Sequence, residues 1–170
     1  LRARGLIHVY GVERIPRMLD YVVPSGVHIA EAERVRLGAY LTEGTVVLRE
    51  GFVSFNAGTY GPDHIEGRLT SGVTVGEGSV MALGSSAISP AVNDVRPIMY
   101  IGRNCRVGEN TSVIGVSVGD NCELAPGLVI TPSTLVRFGD SEPRPLGPVL
   151  EPNWVLSHTV GGIFVSATRP

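Results

Sequence analysis

Residues 23–53 read VPSGVHIAEAERVRLGAYLTEGTVVLREGFV, and every sixth position is aliphatic: Val23, Ile29, Val35, Leu41, Val47 and Val53. An amphipathic helix places apolar residues at i, i+3, i+4 and i+7, and a half-buried strand alternates strictly, so neither yields a period of six. The spacing returns further along. Ile65 keeps the register of the first series; Leu69, Val75 and Met81 form a second run, and Ile101, Val107 and Val113 a third. After a one-residue slip Val118, Leu124, Ile130 and Val136 form a fourth. Glycine often follows the aliphatic residue, as at Gly76, Gly102, Gly108 and Gly119. A small residue often stands four places after it, at Ala39, Thr45, Ser79, Cys105, Thr111, Cys122 and Thr134. This pattern describes a short strand, a tight turn and another short strand, with the large aliphatic group filling an interior and the small one fitting a corner. It predicts an all-β solenoid, a hexapeptide-repeat β-helix in which three hexads make one triangular coil. Residues about 18 positions apart then stack at the roughly 4.8 Å spacing of adjacent strands.

Around this repeat the chain divides into a lead-in over 1–22, a solenoid over 23–140 and a cap over 141–170. The lead-in holds a candidate strand from Leu6 to Val12 and a short helical turn. Within the solenoid, FNAGTYGPDH (55–64) is rich in turn residues and predicts a bend or short loop at a corner. Residues 82–98, ALGSSAISPAVNDVRPI, carry little hexad character and two prolines, Pro90 and Pro97. They predict an excursion from the coil, the kind of loop on which binding residues concentrate. In the cap, EPRPLGPVLEP (142–152) ends the repeats, and Asn153 to Ala167 returns to an apolar pattern that suits a final hairpin.

Composition narrows the chemistry. With 170 residues, 43% of them hydrophobic, and a net charge of −2, the chain fits one globular domain. Gly at 22 and Pro at 12 make a chain that turns often. No apolar run approaches the roughly 18 residues of a membrane span, and the start does not read as a signal peptide, so no membrane partner and a cytoplasmic location are expected. All 14 basic residues are arginine, which removes Schiff-base and P-loop lysines from consideration. They are scattered rather than gathered into a stripe, so no nucleic-acid partner is expected. Cys105 and Cys122 occupy the same place in their hexads on successive coils and are expected as buried, reduced thiols. His8, His28, His64 and His158 share no ligand spacing.

Three longer stretches carry a resemblance. VYGVERIPRMLDYVVPSGVHIAEAERVRLGAYL (9–41), EGFVSFNAGTYG (50–61) and IEGRLTSGVTVGEGS (65–79) closely resemble tetrahydrodipicolinate N-succinyltransferase of the actinobacterial type, with similarity from about Arg4 to about Thr134. The resemblance implies a left-handed parallel β-helix and a homotrimer with active sites in clefts between subunits. Handedness comes from the resemblance alone, since the general crossover rule favours the right-handed sense. The family moves a succinyl group from succinyl-CoA, or a related acyl-CoA, to the amine of a small amino-dicarboxylate in lysine and diaminopimelate synthesis. Glu66 matches the catalytic glutamate, as a base or as the site of an acyl-anhydride intermediate. Arg68 matches a residue that contacts the acyl donor, where a forked guanidinium suits the succinyl carboxylate. Ser86 falls on a donor-binding serine, and Glu33 and Glu50 on two carboxylates that hold a magnesium ion near the threefold axis, as hard oxygen ligands do.

The chain also departs from that pattern. MALGSSAISPAVNDVRP (81–97) stands where the family is glycine-rich: Leu83 replaces a glycine that admits the cofactor, Ser89 replaces one implicated in catalysis, and Pro90 removes a backbone donor. Ala125-Pro126-Gly127 replaces an E-A-G element, Leu156-Ser157-His158-Thr159 an Arg-Arg-Asn-Ser stretch, and no lysine is present for the CoA phosphates. The domain that precedes this region in the family is missing from these residues, so the expectation is either a shortened relative or part of a longer chain. Two alternatives follow from the departures: a diverged paralogue that has lost its donor site and acts as a binding or assembly partner, and an enzyme using Glu66 for proton transfer on a different substrate.

Overall fold

A period of six leaves room for strands of two or three residues, in which neighbouring side chains point to opposite sides before the chain turns. Phe52–Val53 is such a strand, Val53 buried and Phe52 half-buried. The structure, a computed structural model, describes residues 5, 9, 11–159 and 165–169. The expected strand from Leu6 to Val12 lies mostly outside them; Met18–Asp20 forms one 3-10 turn.

The strands build three parallel sheets that wrap one interior. The first face carries His28–Ile29, Val46–Val47, His64–Ile65, Val80–Met81, Arg106–Val107 and Glu123–Leu124. The second carries Phe52–Val53, Arg68–Leu69, Ser86–Ile88, Ser112–Ile114 and Val129–Ile130. The third carries Tyr40–Leu41, Gly58–Thr59, Val73–Val75, Met99–Ile101, Ser117–Val118 and Val149–Leu150. Each strand pairs in register with the one a coil away, as in His28↔Val46, Val46↔His64 and His64↔Val80. The hexad aliphatics from Val35 to Val136 are all buried and fill the interior. Val23 does not join them: it is 80% exposed, because it precedes the first stacked strand and has no coil beneath it.

Corners need left-handed backbone, and asparagine supplies much of it. Asn104, Asn121 and Asn153 all have positive φ and stack at one corner, where the Asn104 side-chain amide donates to Asn121 Oδ1 at 3.4 Å and that of Asn121 to Asn153 Oδ1 at 3.0 Å. Inside the same edge the small residues form a polar ladder. Ser79 donates its backbone N–H to Asp63 Oδ1 (2.9 Å) and its hydroxyl to the Gly102 carbonyl (2.7 Å), and accepts the Cys105 N–H (2.9 Å). Cys105 and Cys122 are buried, free thiols that donate to the carbonyls of Gly119 (3.1 Å) and Glu151 (3.3 Å). The neighbouring Cys122 thiol, together with burial, pushes the Cys105 thiol up, so it stays protonated.

Three segments differ from the expected layout. Residues 55–64 do not interrupt the coil, because Thr59 occupies the interior slot, fully buried, and satisfies its hydroxyl against Thr45 Oγ1 at 2.8 Å. A hydroxyl in an aliphatic slot hides the period from a hydrophobic count. Within 82–98, Ser86–Ile88 is a regular strand with Ala87 buried, and the chain leaves the coil only at Ser89. There Ser89 donates its hydroxyl to the Pro97 carbonyl (2.5 Å) and its N–H to Thr70 Oγ1 (3.0 Å), closing the neck of the loop. Val92 and Val95 pair antiparallel across Asn93 and Asp94, both at positive φ, a type I′ hairpin at the tip.

The third difference is at the end. Val136 is buried, but in a strand (Leu135–Phe138) that lies beyond the Val155–His158 and Val165–Thr168 hairpin, and Leu156 is what stacks on Leu124. Coil stacking therefore resumes after residue 140, at Leu150 and Leu156. Phe138 and Trp154 meet edge to face at 4.8 Å in this cap.

Candidate functional site

Ile65 and Leu69 are both fully buried and belong to neighbouring faces, yet only Glu66, Gly67 and Arg68 separate them. On the coils to either side the same edge is turned at full hexad length, from Val47 to Val53 and from Met81 to Ala87. Those two corners are closed by turns in which Gly51 N–H donates to the Leu48 carbonyl and Ser85 N–H to the Ala82 carbonyl, each at 3.0 Å. The shortened corner between them leaves a notch in the edge, an open groove of about 270 Å³ lined by Glu50, Glu66, Gly67, Arg68, Leu83, Gly84, Ser85 and Ser86.

The tight corner lays Gly67 against the coil above. A Cβ here would stand 2.6 Å from the Ser85 carbonyl oxygen and overlap Ser85 Oγ. Gly67→Ala is therefore expected to push the two coils apart at the notch, costing about 1–3 kcal/mol of stability as overpacking does. A thermal melt reads the loss, and an unchanged midpoint would show that the corner relaxes freely.

Glu66 is half-buried, and among the described residues its carboxylate has no hydrogen-bond or ion-pair partner, so both oxygens remain available. Arg68 opens its strand on the outward side, its guanidinium carbon 4.7 Å from the centroid of the Phe52 ring one coil below. It makes no ion pair among the described residues, which leaves its N–H edges open to an anion. Ser86 is the in-register partner of Arg68 on the coil above, and its hydroxyl donates to Ser112 Oγ at 2.9 Å. Three residues singled out from sequence, Glu66, Arg68 and Ser86, thus meet in one groove with Glu50.

Glu33 lies elsewhere. It shares with Glu50 and Arg68 an adjoining groove of about 500 Å³ that also holds Arg34, Arg36 and Arg49, and its carboxylate is 3.9 Å from Arg17 Nη1. No cluster of three or more histidine, cysteine, aspartate or glutamate side chains suited to a metal occurs among the described residues. Three exposed carboxylates, Glu31, Glu33 and Glu50, line the adjoining groove beside four guanidinium groups, and Glu31 is already paired with Arg49 at 3.4 Å, so the groove does not by itself fit a divalent cation. The described residues of one chain do not by themselves build the magnesium site that the resemblance implies.

Of the departures from the family pattern, Leu83 is the one that enters the notch, half-exposed on its upper wall. Ser89 is buried at the neck of the loop and lines no part of it. His158 Nε2 sits 2.8 Å from the Pro126 carbonyl, so two other departures bond to each other. No motif marks Phe52, the platform under Arg68, or Gly67, whose signal is the four-residue step from Ile65 to Leu69.

A three-sided parallel coil with an acidic and arginine-lined notch defines the class, the hexapeptide-repeat β-helix. Residues 99–132 match the family model described as the hexapeptide repeat of succinyl-transferase. The structure superposes with a TM-score of 0.82 and 26% identity on a crystal structure from Campylobacter jejuni assigned as a 2,3,4,5-tetrahydropyridine-2-carboxylate N-succinyltransferase, covering 95% of this chain and 47% of that one. Sequence relatives include the 2,3,4,5-tetrahydropyridine-2,6-dicarboxylate N-succinyltransferases of Pseudomonas paraeruginosa, 46% identical over 142 residues, and of Pseudomonas putida, 46% over 140. The chain is homologous to these succinyltransferases over most of its own length, and its coil is the left-handed parallel β-helix. The match takes in 83% of this chain and 41% of the P. paraeruginosa protein, so the chain spans about two-fifths of the length of such relatives.

Proposed function

We propose that the protein transfers a succinyl group from succinyl-CoA to the amine of a small amino-dicarboxylate, with the notch as the acyl-transfer site. The supporting observation is the convergence of Glu66 and Arg68, neither of them in an ion pair among the described residues, at the one shortened corner of this edge. Arg68 takes the free carboxylate of the succinyl group, a charge-assisted and bidentate contact. Ser86 contributes a hydroxyl to the donor on the same wall. Glu66 accepts the proton that the amine sheds as it attacks the thioester carbon; the C–N bond forms, the C–S bond breaks, and the thiolate of CoA leaves. Relatives named as N-succinyltransferases favour this over a paralogue without a donor site or a proton-transfer enzyme.

The notch is open on its outer side, which fits closure by a neighbouring subunit in a homotrimer. In such an assembly Glu33 and Glu50 from three chains would supply enough oxygens for magnesium. No helix among the described residues is long and apolar enough to cross a membrane. The free, stacked Cys105 and Cys122 suit a reducing compartment, the cytoplasm.

Calorimetry of the protein with a panel of acyl-CoA thioesters tests the reading. Succinyl-CoA is expected to bind, and to bind more tightly than acetyl-CoA. Replacement of Arg68 by Gln is expected to weaken succinyl-CoA by about 1.5–3 kcal/mol, the worth of a hydrogen bond to a charged group, while leaving acetyl-CoA unaffected. Absence of binding by any acyl-CoA would overturn the assignment.

A further inference from the structure

On the second face Phe52 and Arg68 are in-register partners one coil apart, both pointing outward. The Arg68 guanidinium carbon lies 4.7 Å from the ring centroid of Phe52, and that of Arg36 lies 5.8 Å from the same ring. The ring therefore carries one guanidinium close and a second further out. Arginine stacks on aromatic faces through its flat, delocalised charge while its N–H groups stay in the plane, free to donate sideways. Phe52 is anchored at its base, since its backbone N–H donates to the Gly67 carbonyl at 2.9 Å and its neighbour Val53 is fully buried. A fixed ring beneath a long, four-torsion side chain narrows the rotamers open to Arg68, which borders both the notch and the adjoining groove where Phe52 lies. Among the described residues no carboxylate pairs with Arg68, so the ring is the contact that sets where its charge sits.

We infer that Phe52 is a positioning residue that sets the preference for acyl donors bearing a terminal carboxylate, by holding Arg68 over the notch. The inference rests on the acyl-donor reading above and adds to it the residue that makes Arg68 selective. A ring holding Arg68 acts on a donor that reaches the guanidinium and leaves indifferent a donor that does not. Phe52 lies outside the coil interior, so its loss removes a platform rather than a core group.

The test compares Phe52→Leu and Phe52→Tyr with the wild type, measuring kcat and KM for succinyl-CoA and for butyryl-CoA, a donor of similar length without the carboxylate. In Phe52→Leu, kcat/KM for succinyl-CoA is expected to fall about two- to fivefold, mainly through KM, with butyryl-CoA unchanged, the scale of an exposed cation–π contact. Phe52→Tyr, which keeps the ring, is expected to restore the wild-type ratio between the two donors. A general disturbance of the fold would lower both donors together and would overturn the inference. So would an unchanged ratio in Phe52→Leu when the wild type turns over succinyl-CoA, leaving the acyl-transfer reading intact. A wild type that turns over no acyl-CoA overturns both.

Discussion

Glu66→Gln is expected to lower kcat for succinyl transfer by about 10²–10⁴-fold, the range that a positioned general base supplies. The substitution keeps size and shape and removes the ability to take a proton. Because the Glu66 carboxylate has no hydrogen-bond or ion-pair partner among the described residues, the amide leaves no neighbour unsatisfied and the coil stays folded. Donor binding is expected to change little, since the succinyl carboxylate is assigned to Arg68 and a neutral side chain at 66 also removes a negative charge from its vicinity. Steady-state kinetics with calorimetry of succinyl-CoA separate the two quantities. A variant that binds the donor normally and turns over slowly fits a base. A variant with kcat within a few-fold of wild type would mean that the proton leaves through solvent or another group, and Glu66 would lose its role.

The coil was legible because its period is incompatible with every other regular element, and because aliphatic groups fill nearly all the interior slots from Val35 onward. Where a slot is filled by something else the period disappears from a hydrophobic count. Thr59 hides the period at 55–64, and Ala87, small enough to pass as a corner residue, hides it within 82–98. Val23 fits the spacing but has nothing to stack on, which a count along the chain does not register. The site was legible only through the family resemblance: a glutamate and an arginine two apart on a solenoid are ordinary surface residues. What would have marked them without it is the step of four between Ile65 and Leu69, since a short corner on a stacked coil must leave a recess. Phe52 could not be found by motif, because its relation to Arg68 crosses from one coil to the next and depends on the 16-residue offset between Val53 and Leu69.

Asp63→Asn is expected to stabilise the protein above neutral pH and to flatten its pH dependence. Asp63 is 4% exposed, inside the polar ladder; its Oδ1 accepts the Ser79 N–H at 2.9 Å, and its Oδ2 is buried with no partner. Burial raises its carboxyl from 3.8 to about 6, the nearby charge of Glu77 adds to the rise, and the Ser79 and Gly61 N–H groups oppose it. Between these two values the folded protein holds a proton that the unfolded chain has released. The stabilisation is therefore complete below about pH 4 and is lost as pH rises through about 6. A difference of about two pKa units corresponds to roughly 3 kcal/mol. An asparagine keeps the carbonyl that Ser79 uses and never ionises, so the variant escapes that loss. For a domain of this size roughly 3 kcal/mol is about 6–12 °C in Tm, which should appear as a gap between variant and wild type that widens from about pH 4 to about 6 and then stays constant. Two melting curves that stay parallel across that range would mean that Asp63 remains ionised in the fold, with water or a neighbouring dipole serving Oδ2.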